Sequence, residues 1–366
     1  MASLDEVVAE TIEAFHAAAI GDLDWETPVR ALADATGSLG GELIGLGRDC
    51  LVPFNLITGA APEAAAEFLA AGGGNPAVNS RVRIGSQARE LEVLDEAAFT
   101  TASDIRANPE YGEWIRRHQV EHVCLTPLVK EPHLLVGMAV MRGSRQGHID
   151  AERKRVFAAI APHVRRAVKT RMALQDQRLD SMMRGLTATR TAAFVCDPFG
   201  HVRAMTAPAE ALARAGHALR LSHGRLTPRH HRDAPRLSLL IGEAFRGGAG
   251  PMRPIALHDA DGLPVLIEAA PIPRDGVLSF GDGVLVIVHQ PSDDQARMAG
   301  AAQALYGLSP SESLIAGLLA TGRSVSAIAE QRRTSIGTVR SQVRKVFEKA
   351  GVSSQIELVA SLARFR

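Results

Sequence analysis

Near the C-terminus, Val339, Val343, Val346 and Phe347 recur at steps of four, three and one, which is one apolar stripe on a helix over residues 336–350. Arg340 and Arg344, four apart, share a different face, with Ser341 and Lys345 beside them. Gly351 stands where a helix end accepts positive φ. One side of this helix is patterned for a core and the other for an anion. Upstream, Ser309, Pro310 and Glu312 predict a capping box ahead of Leu314, Ile315, Leu318 and Leu319, with Gly322 as the stop. A second helix over 324–331 would bury Val325, Ile328 and Ala329, and Ser354 with Glu357 repeats the capping spacing before a fourth. Four short helices in succession, the third basic, predict an all-α helix-turn-helix domain over 305–366.

The rest of the chain reads as two α+β blocks. In residues 1–149, an amphipathic helix (Leu4, Val7, Val8, Ile12, Phe15) and a helix over 28–36 precede strands at 41–46 and 51–56. Helices at 62–70 and 109–118 follow, then strands at 122–131 and 134–143 turning at Pro132, which together predict an antiparallel sheet interrupted by helices. Residues 150–186 hold no glycine or proline except Pro162 and Gly185, and Val156, Ile160, Val164, Ala167 and Leu174 fall near a seven-residue rhythm. Two readings fit: one connecting helix of about 50 Å, pairing with its copy in a dimer, or two helices kinked at Pro162. In residues 187–291, a strand, an Asp197-Pro198-Phe199-Gly200 turn and a second strand are followed by a helix over 208–215, a loop over 222–233 and a helix over 237–245. Three strands near 253–259, 264–272 and 283–290 close the block, and 292–304 reads as a polar linker. The fold class is therefore multidomain α+β, with two antiparallel-sheet domains joined by a long helix and an all-α domain at the end.

Composition narrows the function classes. A length of 366 residues fits two or three domains, and 46% hydrophobic against 22% charged residues describes a globular chain. No apolar run reaches the roughly 18 residues that span a bilayer, and the acidic, amphipathic N-terminus differs from a secretion signal, so a cytoplasmic protein with no membrane partner is expected. Cys50, Cys124 and Cys196, odd in number and widely spaced, predict reduced and mostly buried thiols. The net charge of +1 hides an asymmetry: residues 323–349 hold seven Lys or Arg against two Glu.

Residues 308–362 resemble the DNA-binding domain of LuxR-type regulators, also called the GerE or NarL/FixJ type. The resemblance lies in Leu308-Ser309-Pro310, Glu312, Gly322, Ile328-Ala329, Thr338-Val339-Arg340 and Lys349-Ala350-Gly351-Val352. It implies double-stranded DNA as partner, with Arg340, Ser341 and Arg344 facing base edges, Thr338 and Lys345 touching phosphates, and the helix over 356–362 as a homodimer contact. Arginine suits base reading because its planar fork bonds guanine O6 and N7 together, for about 1–3 kcal/mol per good pair. One departure stands out: Arg332-Arg333-Thr334 fills a turn where the family has an apolar residue, Gly and an apolar residue. A left-handed Arg333 would cost about 1 kcal/mol.

By order of elements, residues 1–149 resemble a GAF domain and 187–291 a PAS domain. That order resembles bacterial one-component regulators, implying a small-molecule effector or a protein partner at the sensor domains and no cofactor. A receiver domain is not expected, because its alternating parallel strands and helices with an acidic cluster after the first strand are not found; an acyl-homoserine-lactone sensor stays an alternative, although its aromatic and Asp set finds no place on residues 1–150.

Other constellations carry two readings each. His118, His122 and Cys124 have metal-ligand chemistry but straddle a helix-to-strand boundary, so no metal is expected. His230 and His231 lie between arginines and are expected to be solvated. No nucleophile elbow, cofactor loop or H-E-x-x-H motif is present, so no catalytic residue is assigned and no enzyme is expected. Trp25, Phe54, Tyr111, Trp114 and Met138 are candidate ligand-pocket residues or plain core, and Cys50 and Cys124 are oxidant sensors or structural thiols. The competing function is a scaffold acting through protein contacts without specific DNA binding.

Overall fold

The computed structural model describes residues 4–47, 50–132, 134–247, 254–260, 262, 264–272, 283–289 and 291–362, the last stretch with side chains from 295 onward. Two units part after Asp180. In the first, strands β1 (Gly40–Gly47), β2 (Phe54–Ile57), β3 (Leu94–Asp95), β4 (His122–Glu131) and β5 (Leu134–Arg142) form an antiparallel sheet in the order β2-β1-β5-β4-β3. Helices α1 (Leu4–Ile20), α2 (Glu26–Ala35), α3 (Ala64–Ala70), α4 (Ser80–Gly85), α5 (Thr101–Ala107) and α6 (Pro109–His118) surround it, and α7 (Ala151–Ala188) follows.

Strand alternation divides the side chains between two faces. Leu43, Cys124, Met138 and Val140 join a core with Phe15 of α1, Leu32 of α2 and Phe157 of α7. Ile44, Val123, Ala139 and Met141 join a second core with Phe68 of α3 and Tyr111, Trp114 and Ile115 of α6. At Gly45 a Cβ would lie 2.4 Å from the Phe54 ring directly opposite, so glycine leaves the space this ring fills.

The helix α7 runs unbroken for 38 residues, about 57 Å, through Pro162, which lies on its exposed side. The kinked alternative is thereby replaced. Val156, Ile160, Val164 and Ala167 are buried in the first core, so most of the seven-residue rhythm serves the domain's own sheet rather than a partner helix.

In the second unit, β6 (Ala192–Cys196) and β7 (Val202–Met205) flank the predicted turn, where Asp197 Oδ1 accepts from the Phe199 and His201 amides at 2.9 Å each. The helix α8 (Ala207–Ala215) begins on Thr206, whose hydroxyl accepts from the Ala209 amide. The expected loop over 222–233 is corrected in part. Strands β8 (Leu219–Ser222) and β9 (Arg225–Pro228) form a hairpin whose two-residue turn, His223-Gly224, has positive φ at both positions. His230, expected to be solvated, instead donates from Nε2 to the Asp259 carbonyl at 2.8 Å. The helix α9 (Ala234–Phe245) and strands β10 (Ile255–His258), β11 (Pro264–Pro271) and β12 (Val284–His289) complete an antiparallel sheet ordered β10-β11-β12-β6-β7 over a core of Phe194, Leu237, Ile267 and Val286.

Residues read as a polar linker, 292–304, are helical. The helix α10 (Pro291–Tyr306) buries Met298 and Ala302 in one core with Leu308 and Ile315. It packs against α11 (Pro310–Ala320) at Gly317, where a Cβ would sit 2.5 Å from the Gln295 carbonyl oxygen. With α12 (Val325–Gln331), α13 (Ile336–Ala350) and α14 (Gln355–Leu362), the C-terminal domain has five described helices, one more than expected. α14 ties back to α10 by a 2.7 Å bond between the Tyr306 and Ser361 hydroxyls.

Candidate functional site: a nucleic-acid interface and a cavity

The predicted basic helix forms as α13. The Ser335 hydroxyl caps it by accepting from the Thr338 amide at 3.1 Å, and Gly351 ends it at φ +65°. Val339, Val343 and Val346 are buried, while Thr338, Arg340, Ser341, Arg344 and Lys345 are all exposed. Among the described residues, Arg340, Ser341, Arg344 and Lys345 have no hydrogen-bond or ion-pair partner within the chain. Thr338 shares a 2.8 Å hydroxyl contact with Ser335. Three unpaired cations thus stand on the solvent side of a helix whose other side is locked into the domain core.

Two polar clusters that sequence reading did not connect hold this helix in place. Glu312 Oε2 accepts from the Ser309 amide at 2.8 Å, closing the capping box, and also from Lys349 Nζ at 2.7 Å. The Lys349 ammonium, followed by the Ser309 amide, pushes the Glu312 carboxyl down to about 2. The cap of α11 is therefore also the anchor for the last turn of α13. Farther along, the Ser311 hydroxyl accepts from Arg332 Nη2 at 3.0 Å and Gln342 Nε2 at 3.1 Å. Lys349 lies 37 residues from Glu312, and Arg332 and Gln342 lie 21 and 31 from Ser311, so no local spacing announces these contacts. Between α12 and α13, Arg333 adopts φ +52°, the left-handed conformation expected of that turn despite its side chain.

A cavity lies on the second face of the first unit's sheet. Its walls include Ile44, Phe68, Trp114 and Leu125, and its polar residues are Glu42, Asn79, Arg81, Ser86, Tyr111 and Thr126. About 60 Å³ is open to the centre of a water-sized sphere, and at roughly 10–15 Å³ per water this is room for about five. Burial pushes the Glu42 carboxyl up to about 7, with Asn55 and Arg81 opposing. Burial likewise pushes the Tyr111 phenol up to about 12. Glu42 Oε1 and the Tyr111 hydroxyl are buried without a hydrogen-bond partner. Arg81, 5% exposed, donates from Nε and Nη2 to Glu96 at 3.2 and 2.9 Å and from Nη2 to the carbonyls of Val120 and Glu121.

The candidate pocket residues separate accordingly. Tyr111 and Trp114 line the cavity, and Trp114 is fixed by a 2.9 Å bond from its Nε1 to the Ala64 carbonyl. Met138 borders it, but strand alternation sends its side chain into the opposite core. Phe54 is not among its lining residues; its ring lies against Gly45, and Trp25 packs on Phe15 in the same core. Sequence reading passed over both Glu42, signalled only as a charged residue inside the otherwise apolar strand β1, and Arg81, which lies on α4 and carries no such signal.

The remaining candidates scatter. His118 bonds Glu67 at 2.8 Å, His122 lies beside the His148 ring, and Cys124 is buried in the other core, so the three do not converge. Burial and, next, the His148 charge lower the His122 pKa. Cys124 and Cys196 are buried thiols pushed up to about 12 by desolvation, which removes the reactive thiolate, whereas Cys50 is exposed, contrary to expectation. Among the described residues, no group of three His, Cys, Asp or Glu is placed to hold a metal ion, and no helix is long and apolar enough to cross a membrane.

No family model matches the sequence, and no curated protein matches it. Among solved structures, the chain is similar to a phage VqmA–DPO complex, at 17% identity over 52% of this chain and 89% of that one, with a TM-score of 0.26. It is also similar to the VqmA dimer of Vibrio cholerae without its target DNA, described as a LuxR-type receptor, at 17% identity over 47% and 81%, with a TM-score of 0.21. The E. coli DhaR(N)–DhaL complex matches at 13% identity over 78% and 90%, with a TM-score of 0.22. At these scores the likeness carries no assignment for this chain.

Proposed function

We propose that this chain is a sequence-specific DNA-binding transcriptional regulator of the one-component type, acting as a homodimer, with its DNA binding or dimer geometry set by a small molecule at the N-terminal sensor domains. The observation that carries the reading is α13: unpaired Arg340, Arg344 and Lys345 face solvent while Val339, Val343 and Val346 lock the helix into the domain. A cationic face held rigidly and left without internal partners suits a polyanion, and helical width suits the major groove. In this reading the C-terminal domain is a LuxR-type helix-turn-helix, Arg340, Ser341 and Arg344 read bases, and Thr338 and Lys345 hold phosphates. The upstream blocks are GAF-like and PAS-like sensors, and the ligand enters the first.

The test is selection of bound duplexes from a random-sequence DNA pool with the full-length protein, followed by fluorescence anisotropy on the enriched site and on scrambled DNA. An enriched motif whose preference disappears in Arg344→Ala supports the reading. Absence of salt-dependent DNA binding would overturn it and favour the scaffold function.

A further inference from the structure

The cavity of the first unit has a chemistry that specifies its occupant. Its wall is mostly apolar, with Phe68, Tyr111 and Trp114 on the helical side and Ile44 and Leu125 on the sheet. Two buried polar atoms of residues in this wall, Glu42 Oε1 and the Tyr111 hydroxyl, lack a hydrogen-bond partner of ordinary geometry, although the Asn55 side chain lies close enough to Glu42 to favour its charged form. A buried polar atom without a partner costs on the order of 1–3 kcal/mol, and a carboxyl more. Such groups persist where something absent from the polypeptide completes them.

The sign of the missing partner follows from the charges around it. Among the described residues lining the cavity, the one cation, Arg81, is already neutralised by Glu96 through two hydrogen bonds and is further held by the carbonyls of Val120 and Glu121. That leaves Glu42, favoured in its charged form by the Asn55 side chain and Arg81 but without an ion-pair partner among the described residues, as the acidic group of the cavity, and it repels anions. Aromatic walls add to this preference, because π faces attract positive charge. The space, about five waters, admits a body of some five to eight heavy atoms.

We propose that the cavity binds a small organic amine, its protonated nitrogen donating to Glu42 and within reach of the Tyr111 hydroxyl, and its apolar body lodged against Phe68 and Trp114. This deepens the reading of the first domain as the sensor of a DNA-binding regulator and rests on it for its regulatory meaning. As a binding site it stands on the cavity alone.

The experiment uses the full-length protein at pH 8 with three probes of one shape and different charge: benzylamine, benzyl alcohol and benzoate. Isobutylamine serves as a smaller amine. Isothermal titration calorimetry is expected to show at least one amine binding ten-fold or more tighter than benzyl alcohol and benzoate. Glu42→Gln, which keeps the shape, should weaken that amine at least ten-fold, and Tyr111→Phe should weaken it several-fold, with circular dichroism confirming that both variants fold. Equal affinity for amine and alcohol, a preference for benzoate, an amine affinity unchanged by Glu42→Gln, or no binding of either amine at 10 mM would each overturn the proposal. DNA anisotropy with and without the amine separates the two claims. Amine binding with no DNA binding at any salt would leave the site standing and remove the regulator, while DNA binding with no amine binding would do the reverse.

Discussion

Two glutamates, one in each end domain, show opposite uses of a carboxyl. Glu312 accepts from an amide of its own capping box and from Lys349, and its pKa is pushed down to about 2. Glu42 sits in a strand over an apolar cavity with Oε1 unanswered, and its pKa is pushed up to about 7. The contrast extends to the domains. Among the described residues, the buried side-chain polar atoms without partners include Glu42, Asn55 and Tyr111 in the first unit, and none falls in 308–362. The helical domain answers its interior and leaves Arg340, Arg344 and Lys345 unpaired outside; the sheet domain leaves Glu42 Oε1 and the Tyr111 hydroxyl unanswered inside. A domain completed by a large anion should look like the former, and one completed by a small cation like the latter.

The largest test of this contrast is Glu42→Gln. A carboxyl at about 7 in the folded chain against an ordinary 4.5 means that the folded state holds the proton more tightly, so stability falls as pH rises from about 4.5 through 7. Burial pushes the Tyr111 phenol in the same cavity up to about 12, outside that window. Glutamine removes the dependence, and the variant should gain up to about 3 kcal/mol on wild type between pH 5 and pH 8 in urea titrations. A pH-independent difference would break the comparison. Next, Arg344→Ala, and separately Arg340→Ala, should lose about 1–3 kcal/mol on the preferred DNA site and little on scrambled DNA, read by anisotropy. Equal losses on both would remove the base-reading role.

Glu312→Gln sharpens the other half. Its depressed pKa contributes stability that is present above about 4.5 and lost as pH falls toward 2. The variant should melt a few degrees lower than wild type at pH 7, and the gap should close on acidification in a thermal scan. The smallest effect belongs to Lys345→Ala, which should weaken all sequences alike and reduce the slope of log affinity against log salt by about one.

Much of this was legible in the residues. The Ser309–Glu312 box, the Val339–Val343–Val346 stripe and the Asp197 turn are local, and local spacing fixes them. The β8–β9 hairpin hid because its strands are only four residues each and its turn is His223-Gly224 rather than an Asn-Gly or Asp-Gly pair. The α10 helix hid behind its polar first turn, although Met298 and Ala302 four apart carry its buried side. The cavity was half visible: Tyr111 and Trp114 were selected as aromatics, but only the pairing of strands shows that Met138 points away and that Glu42 shares the face of Ile44. Contacts such as Lys349 with Glu312 join residues that no periodicity links.

The close approach of α10 at Gly317 has a practical meaning for how this molecule is cut and grafted. The family-like segment begins near residue 308, yet a fragment started there would strip Met298 and Ala302 from Ile315 and Leu319 and open an apolar groove along α11. The smallest piece expected to fold on its own therefore starts at Pro291.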